Sequence, residues 1–449
     1  MNKMEIVDIK SGLPVQIPSL GVLNPTQENE FDKIIPIIEI NTHAYLVGST
    51  KSGKTEFAKL IYMRKVLQKD SSIVIFDPHG DLAQECAKMM NEKDDIIYID
   101  PTLKKGLTPT INPFRIKKKN EETISIVAQE LINAFENIIR EDFSPNMEVL
   151  ITLLIYTLLR KGDSGIDELV RFLDNDNNQD LIQLGLKSPI KQHRDFFKNQ
   201  FSKEKFNKTK DALSSKLHIF LNNPIFANFL TGDSTFNLEK ALNSNKIIIF
   251  RLPKGKMRKT LEPIAKFLMA LIQGIVFKRS NLPANLRPKT YMICDEYQNF
   301  FSQISNEILS ESRKNNLFIL AAHQHLSQLD TKSRDGILSA ANIIIVGKNS
   351  KKDLKIMSEE IGVGIELLEN LKTGEFYIKI GSNNAIKIVT TDKYIGNKHS
   401  ISDEAWKMHL KYQRKHYYKK IDVDLENTTK KILSNTSEDT PLPTPNFDE

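Results

Sequence analysis

Cysteine is nearly missing from this chain: among 449 residues only Cys86 and Cys294 occur, far apart and without metal-ligand spacing. That scarcity excludes a disulfide framework and a cysteine-based zinc site, and it fits a reducing cytoplasm. Long apolar runs are missing as well. The most apolar stretches, Met147 to Leu159 and Leu261 to Phe277, are too short or interrupted by Lys266. Neither reaches the roughly 20 consecutive apolar residues of a membrane span. The opening MNKMEIVDIKSG holds no apolar segment of signal-peptide length, which argues against export. Internal repeats are not apparent.

What is present is globular material, 40% hydrophobic and 27% charged residues, in a chain long enough for two domains. The formal net charge of +7 favours an acidic partner such as nucleic acid without establishing one. Short β-branched runs recur at Ala44 to Gly48, Ser72 to Asp77, Ile96 to Asp100, Lys246 to Leu252, Thr290 to Glu296, Leu317 to Gln324, Asn342 to Gly347 and Glu375 to Ile380. Continuous apolar strands alternating with helical patterns, such as those after Thr55 and from Glu307 to Asn315, imply an α/β fold with a mostly parallel sheet covered on both faces.

The strand signal stops between about Glu121 and Asn237, where Ile124, Val127, Leu131 and Phe135, then Val149 to Leu159, then Leu213, Leu217 and Leu221 show helical spacing. The expected organisation is an N-terminal extension (1–40), a first part of an ATPase domain (41–120), an inserted all-helical domain (121–237), the second part of the ATPase domain (238–421) and a disordered acidic tail (422–449). A loop with Lys117, Lys118 and Lys119 precedes the insertion. The tail is polar, carries Pro441, Pro443 and Pro445, and beyond Lys431 has only acidic charges.

Chemistry enters at Gly48, Ser49, Thr50, Lys51, Ser52, Gly53, Lys54 and Thr55, which read GSTKSGKT between a strand and a helix. This is the setting of a phosphate-binding P-loop. Gly48 and Gly53 let backbone N–H groups converge on phosphate oxygens, and the helix N-terminus adds its positive dipole. Lys54 supplies charge to the phosphates and Thr55 a Mg²⁺ ligand, so ATP and Mg²⁺ are the expected cofactors. Strand Thr290 to Cys294 ends in Asp295 and Glu296, a Walker B arrangement: Asp295 holds Mg²⁺ through its water shell and Glu296 polarises the attacking water. Gln324, at the next strand end, is placed to bond the γ-phosphate or that water. Asp77 and His79, also at a strand end, either contact the nucleotide or shape a turn. Arg313 reads as a solvated helix-face charge or as a catalytic cation. His323 and His325 lack a carboxylate or cysteine at ligand spacing and read as packing and surface residues.

The runs DEYQNF (Asp295 to Phe300) and EILSESRKNNLFILAAHQHLSQL (Glu307 to Leu329) resemble the signature of the FtsK/HerA superfamily of hexameric DNA pumps. Within it, the chain is most similar to the soluble motor of TraG/TraD-like conjugative coupling proteins of type IV secretion. FDPHGD (Phe76 to Asp81), NPF (Asn112 to Phe114) and SPNMEVLITLLIYTLL (Ser144 to Leu159) are similar too, so the resemblance spans roughly Asn41 to Ile380. It implies a RecA-like P-loop ATPase in a homo-hexamer, with DNA threading a central pore, Gln324 as a sensor and Arg313 as an arginine finger reaching the neighbouring subunit's ATP. Coupling proteins commonly carry N-terminal membrane helices, and repair-type relatives a small β-barrel. The roughly 40 residues before Ala44 are too few for a full barrel, so the expectation is a bare cytoplasmic motor recruited by a membrane channel, relaxase or nuclease partner. Transfer in conjugation, processing with a nuclease, and a nucleotide-controlled scaffold that moves no DNA remain as functions. Lys254, Lys256, Arg258 and Lys259 form a basic loop that either contacts DNA phosphates or is simply solvated.

Overall fold

The computed structural model describes residues 22–23, 42–89, 95–116, 120–139, 143–257, 261–300, 309, 311–390 and 400–421. The strands are β1 (Val22–Leu23), β2 (Ala44–Val47), β3 (Ser71–Asp77), β4 (Ile96–Ile99), β5 (Leu107–Thr108), β6 (Ile247–Arg251), β7 (Lys289–Cys294), β8 (Leu317–His323), β9 (Ile343–Gly347), β10 (Glu375–Ile380), β11 (Ile386–Val389) and β12 (Lys419–Lys420). Ten form one sheet in the order β1-β11-β10-β9-β2-β8-β7-β3-β6-β4, while β12 pairs with β5 in a separate ribbon. From β9 to β4 every neighbouring pair is parallel; β10, β11 and β1 add an antiparallel edge.

The burial of each strand explains its place. In β2, β3, β4, β8 and β9 every residue is buried, as a run of apolar side chains requires when helices cover both faces. In β10 and β11 burial is only intermittent, which suits an antiparallel margin with one wetter face. On one face Leu46, Ile73 and Ile75 pack with Phe57, Leu60 and Leu82 from the helices Lys54–Gln68 and Asp81–Lys88. On the other, Val47, Val74 and Phe250 pack in the same core as Phe267, Leu268 and Ile272 of helix Leu261–Phe277.

Helix Leu261–Phe277 is buried nearly all round because Glu121–Ile139 packs along it. Its one internal cation, Lys266, bonds Glu262 at 2.8 Å one turn away. Among the described residues no helix is long and apolar enough to cross a membrane. Between β5 and β6 lie eight helices, from Glu121–Ile139 to Leu238–Leu242, with no strand between them among the described residues. Entry and exit of this helical region are stapled together. Thr235 N donates to Thr110 O (2.9 Å), and Asn112 of the NPF motif donates through Nδ2 to Gly232 O (2.8 Å) and Ser164 O (3.0 Å).

The expected helix from Glu307 to Asn315 is described only at Leu309 and from Glu311 onward, where Arg313–Asn315 tighten into a 3₁₀ turn. The lysines at 117–119, Arg258, Lys259 and the tail (422–449) lie outside the described residues. Helix Asp403–Tyr417 and the short strands β1, β5, β11 and β12 had no counterpart in the sequence reading. Helix Asp403–Tyr417 lies along the outer strand β4, where Gln413 Nε2 donates to Ile96 O and Gln413 Oε1 accepts from Tyr98 N, both at 2.9 Å. Just beyond it, the Tyr418 hydroxyl donates to Tyr98 O (2.9 Å) and accepts from Asp100 N (2.8 Å).

Candidate active site

The P-loop leaves β2 between its two parallel neighbours, and their C-terminal ends hold it. Gly48 N donates to His323 O (3.2 Å) and Ser49 N to Lys348 O (2.8 Å). Gly374, just before β10, closes the other side by donating its N–H to Ser52 O at 2.9 Å. Two glycines are steric necessities. A Cβ on Gly48 would lie 2.6 Å from Ser52 Oγ, and Gly53 has φ +99° with a Cβ position 3.2 Å from the Gly374 backbone. Lys54 is 7% exposed, and its Nζ donates to Gly48 O (2.5 Å) and Ser49 O (3.3 Å). Burial pulls its pKa down, while the nearby Asp295 and Glu296 oppose that shift. Thr55 follows in the first turn of helix Lys54–Gln68, at the positive end of its dipole.

Beside the loop, β7 delivers Asp295, whose N–H donates to Phe76 O at 3.1 Å. Burial pushes the Asp295 carboxyl up to about 6, with the charges of Asp77 and Glu296 adding and those of Lys54 and His79 opposing. Glu296 is 4% exposed and has φ 52° and ψ 53°, a left-handed conformation rare outside glycine and typical of strained functional positions. Both of its carboxylate oxygens are engaged. Oε1 accepts from Gln324 Nε2, and Oε2 accepts from Gln298 Nε2 at 2.7 Å. Gln324 in turn accepts the Thr50 hydroxyl through Oε1 at 3.1 Å. Thr50, Gln324 and Glu296 thus form one chain from the phosphate loop to the strand-end acid. His79 Nε2 lies 3.7 Å from the same Glu296 Oε1.

Of the two roles open to Asp77, the structure shows the turn. The residue is fully buried, and its oxygens accept from His79 N and Ala83 N, each at 2.8 Å. Its charge acts on the site through Asp295. His323 is buried against the rings of Tyr45 and Tyr297, and burial lowers its pKa to about 3, so it stays neutral. His325 is half exposed, and the fold brings Asp353 to 3.1 Å from its Nδ1, a carboxylate that sequence spacing did not supply. Even so, no group of three or more His, Cys, Asp or Glu capable of holding a metal occurs among the described residues. A Mg²⁺ ion suits such a site, because it takes one or two protein oxygens and completes its shell from phosphates and water. Thr55 and Asp295 are the oxygen donors at hand.

Arg313 lies elsewhere. It is exposed on the turn that leads into β8, at the N-terminal end of the sheet, whereas the P-loop, Asp295, Glu296 and Gln324 cluster at the C-terminal end. The seven residues of β8 separate the two ends by about 20 Å at ~3.3 Å per residue. Within one chain Arg313 therefore cannot reach the P-loop. Lys254 and Lys256 are exposed on the short helix Lys254–Met257, and Lys254 N donates to Pro78 O (2.8 Å), which places these cations at the chemical end of the sheet. Sequence reading missed Gln298. It sits inside the DEYQNF run, and its signal would have been an amide two residues past the acid on a tight turn.

The fold is shared with known structures. The bacterial conjugative coupling protein TrwBdeltaN70, in its unbound monoclinic form, superposes with a TM-score of 0.60 at 17% identity, covering 81% of this chain and 88% of that one. TrwB with the non-hydrolysable ATP analogue ADPNP gives 0.58 at 18% identity, covering 81% and 89%. VirB4 of Thermoanaerobacter pseudethanolicus gives 0.54 at 16% identity, covering 83% and 96%. None of the curated proteins matches the sequence. At such identities the likeness establishes a RecA-like P-loop fold. The family model described as type IV secretory system conjugative DNA transfer matches residues 15–364, and the chain belongs to that family.

Proposed function

We propose that this protein is an ATP-hydrolysing DNA translocase of conjugative transfer, working as a homo-hexamer with each ATP at a subunit boundary. The observation that carries the hydrolytic part is the chain of contacts from Thr50 through Gln324 to Glu296. A protein that only bound nucleotide would have no use for a buried, strained carboxylate tied to its phosphate loop, and this disfavours the scaffold reading. Membership of the conjugative DNA transfer family supports transfer over processing with a nuclease. TrwB structures exist with ADPNP and with ADP and Mg²⁺, which supports ATP and Mg²⁺ here.

On this reading Lys54 and the loop N–H groups hold the phosphates, and Thr55 and Asp295 hold Mg²⁺, which would neutralise phosphate charge. Glu296 takes up the proton side of the attacking water, Gln324 reports the state of the loop, and Arg313 serves the neighbouring subunit. Residues 121–237 form an inserted helical domain flanked by the two parts of the ATPase domain. Lys254 and Lys256 contribute phosphate contacts, and a channel or relaxase partner brings the motor to the membrane. The test is ATP turnover with and without single- and double-stranded DNA, measured together with oligomer mass. Turnover stimulated by DNA in a hexamer is expected. A monomer whose turnover ignores DNA would overturn the translocase reading.

A further inference from the structure

Of the run Asp295 to Phe300, the proposed reaction uses only the two acids, yet the next four residues all bear on Glu296 or its support. Asn299 N and Asn299 Nδ2 both donate to Glu296 O, at 3.0 and 2.9 Å. Tyr297 packs edge-on against His323 with ring centroids 5.8 Å apart, and Phe300 lies 5.3 Å from Phe76. The turn Tyr297–Asn299 is thus locked to the sheet on both sides, and Gln298, in its middle, gives its amide N–H to Glu296 Oε2 at 2.7 Å.

Gln324, the donor to Oε1, is differently placed. It belongs to the end of another strand, and its side-chain Oε1 accepts from the Thr50 hydroxyl in the phosphate loop. A rearrangement of that loop pulls on Gln324 through Thr50, whereas the Gln298 amide is bonded within its own turn, to Glu296. The open side of the carboxylate is also the Oε1 side, because His79, 53% exposed at its side chain, approaches that oxygen. We infer that Gln298 is a positioning residue for Glu296: it anchors Oε2 permanently, so that when Gln324 lets go, Oε1 alone is left free and correctly aimed at the water. This rests on the assignment of Glu296 as the water-polarising acid. A base held at one oxygen and free at the other keeps its alignment, whereas one held at both is idle and one held at neither is disordered.

The test uses the full chain. Gln298→Met keeps the length and the apolar stem and removes the amide, its donor together with a buried Oε1 that has no hydrogen-bond partner. It should lower kcat about tenfold or more, the factor that one hydrogen bond to a charged group carries. ATP-analogue affinity should stay unchanged. Gln298→Glu, which turns an acceptor toward the carboxylate, should lose at least as much. On a Glu296→Gln background, Gln298→Met should leave the residual turnover unchanged, since the group it orients is gone. Turnover of Gln298→Met within twofold of wild type, with Glu296→Gln inactive, would overturn the inference and leave the role of Glu296 standing. The same fold-loss on the Glu296→Gln background would also overturn it, by showing structural support only. Near-normal turnover in Glu296→Gln alone would overturn both.

Discussion

The two ends of the parallel sheet are built on opposite plans. At the C-terminal ends of β2, β3, β7 and β8, charged groups are drawn inward and held by neutral partners: Lys54 by its own loop, Asp77 by its turn, Glu296 by two amides. At the N-terminal ends the polar groups are spent on holding backbone. His43 Nδ1 accepts from Ile319 N (3.1 Å), and its Nε2 donates to Leu309 O (2.7 Å). Arg287 donates to Lys314 O at 2.7 Å, and Asn316 Nδ2 donates to Arg287 O at 2.8 Å. The buried Arg279 is consumed by neutral acceptors, Asn243, Pro288, Leu242 and Thr290, and burial brings its pKa down to about 10. Arg313 alone of these three arginines projects from a pinned support into solvent. One end gathers its charges around the phosphate loop; the other leaves one cation, Arg313, exposed to solvent.

The sharpest way to break this comparison is Arg313→Ala. If the cation works in trans, turnover falls by roughly 10³ to 10⁵ while ATP binding persists. Mixing it with Glu296→Gln subunits should return part of the activity, because some boundaries then join an intact acid to an intact arginine. Near-normal turnover in Arg313→Ala would reduce the N-terminal end to structure. Next in size, Glu296→Gln should cost about 10² to 10⁴ in turnover with ATP affinity retained. Lys54→Ala should instead abolish binding, and equal ATP affinity in Lys54→Ala and wild type would refute the P-loop assignment.

A smaller effect separates the ends by pH. Burial lowers the His43 pKa to about 4, with its bond to Leu309 opposing and the Arg313 charge adding. Above pH ~6.5 neither the folded nor the unfolded chain protonates it. Between ~6.5 and 4 only the unfolded chain does, so stability falls with acid by about 1.4 kcal/mol per pH unit. His43→Gln keeps an acceptor and a donor but cannot titrate. Relative to it, wild type should lose about 3 kcal/mol by pH 4, read from unfolding curves of the two proteins. Glu130, whose carboxyl burial raises to about 7, contributes with the opposite sign in both proteins and cancels in the difference. The smallest change is Gly53→Ala, which places a Cβ at φ +99° against Gly374 and should cost about 1 to 3 kcal/mol. A thermal midpoint equal to wild type would show that the loop has room to relax.

All eight apolar runs emerge as strands because continuous burial leaves a continuous apolar record, as in Ile73 to Phe76 or Ile343 to Val346. The edge strand β11 left no comparable record, being four residues with a lysine among them. The place of Asp295 and Glu296 at the end of β7 was legible from the apolar run before them. The left-handed backbone of Glu296 was not, since that conformation is imposed by the turn around Tyr297 and has no glycine to announce it. The backbone bonds of Asp77 were hidden for a related reason: whether a strand-end carboxylate meets its own backbone depends on the turn that follows, here one closed at Gly80 with φ +94°. For Arg313, the end of the sheet could have been read from its place just before a strand.

The outer strand β4 carries one more consequence. Its backbone groups are answered by the amide of Gln413 and the hydroxyl of Tyr418, which imitate a neighbouring strand without being one. At the opposite margin β1 is two residues long. The β4 margin, finished in this way, offers no free backbone for strand addition. Whatever meets this protein along β4 must do so through side chains, because the backbone there is already paired.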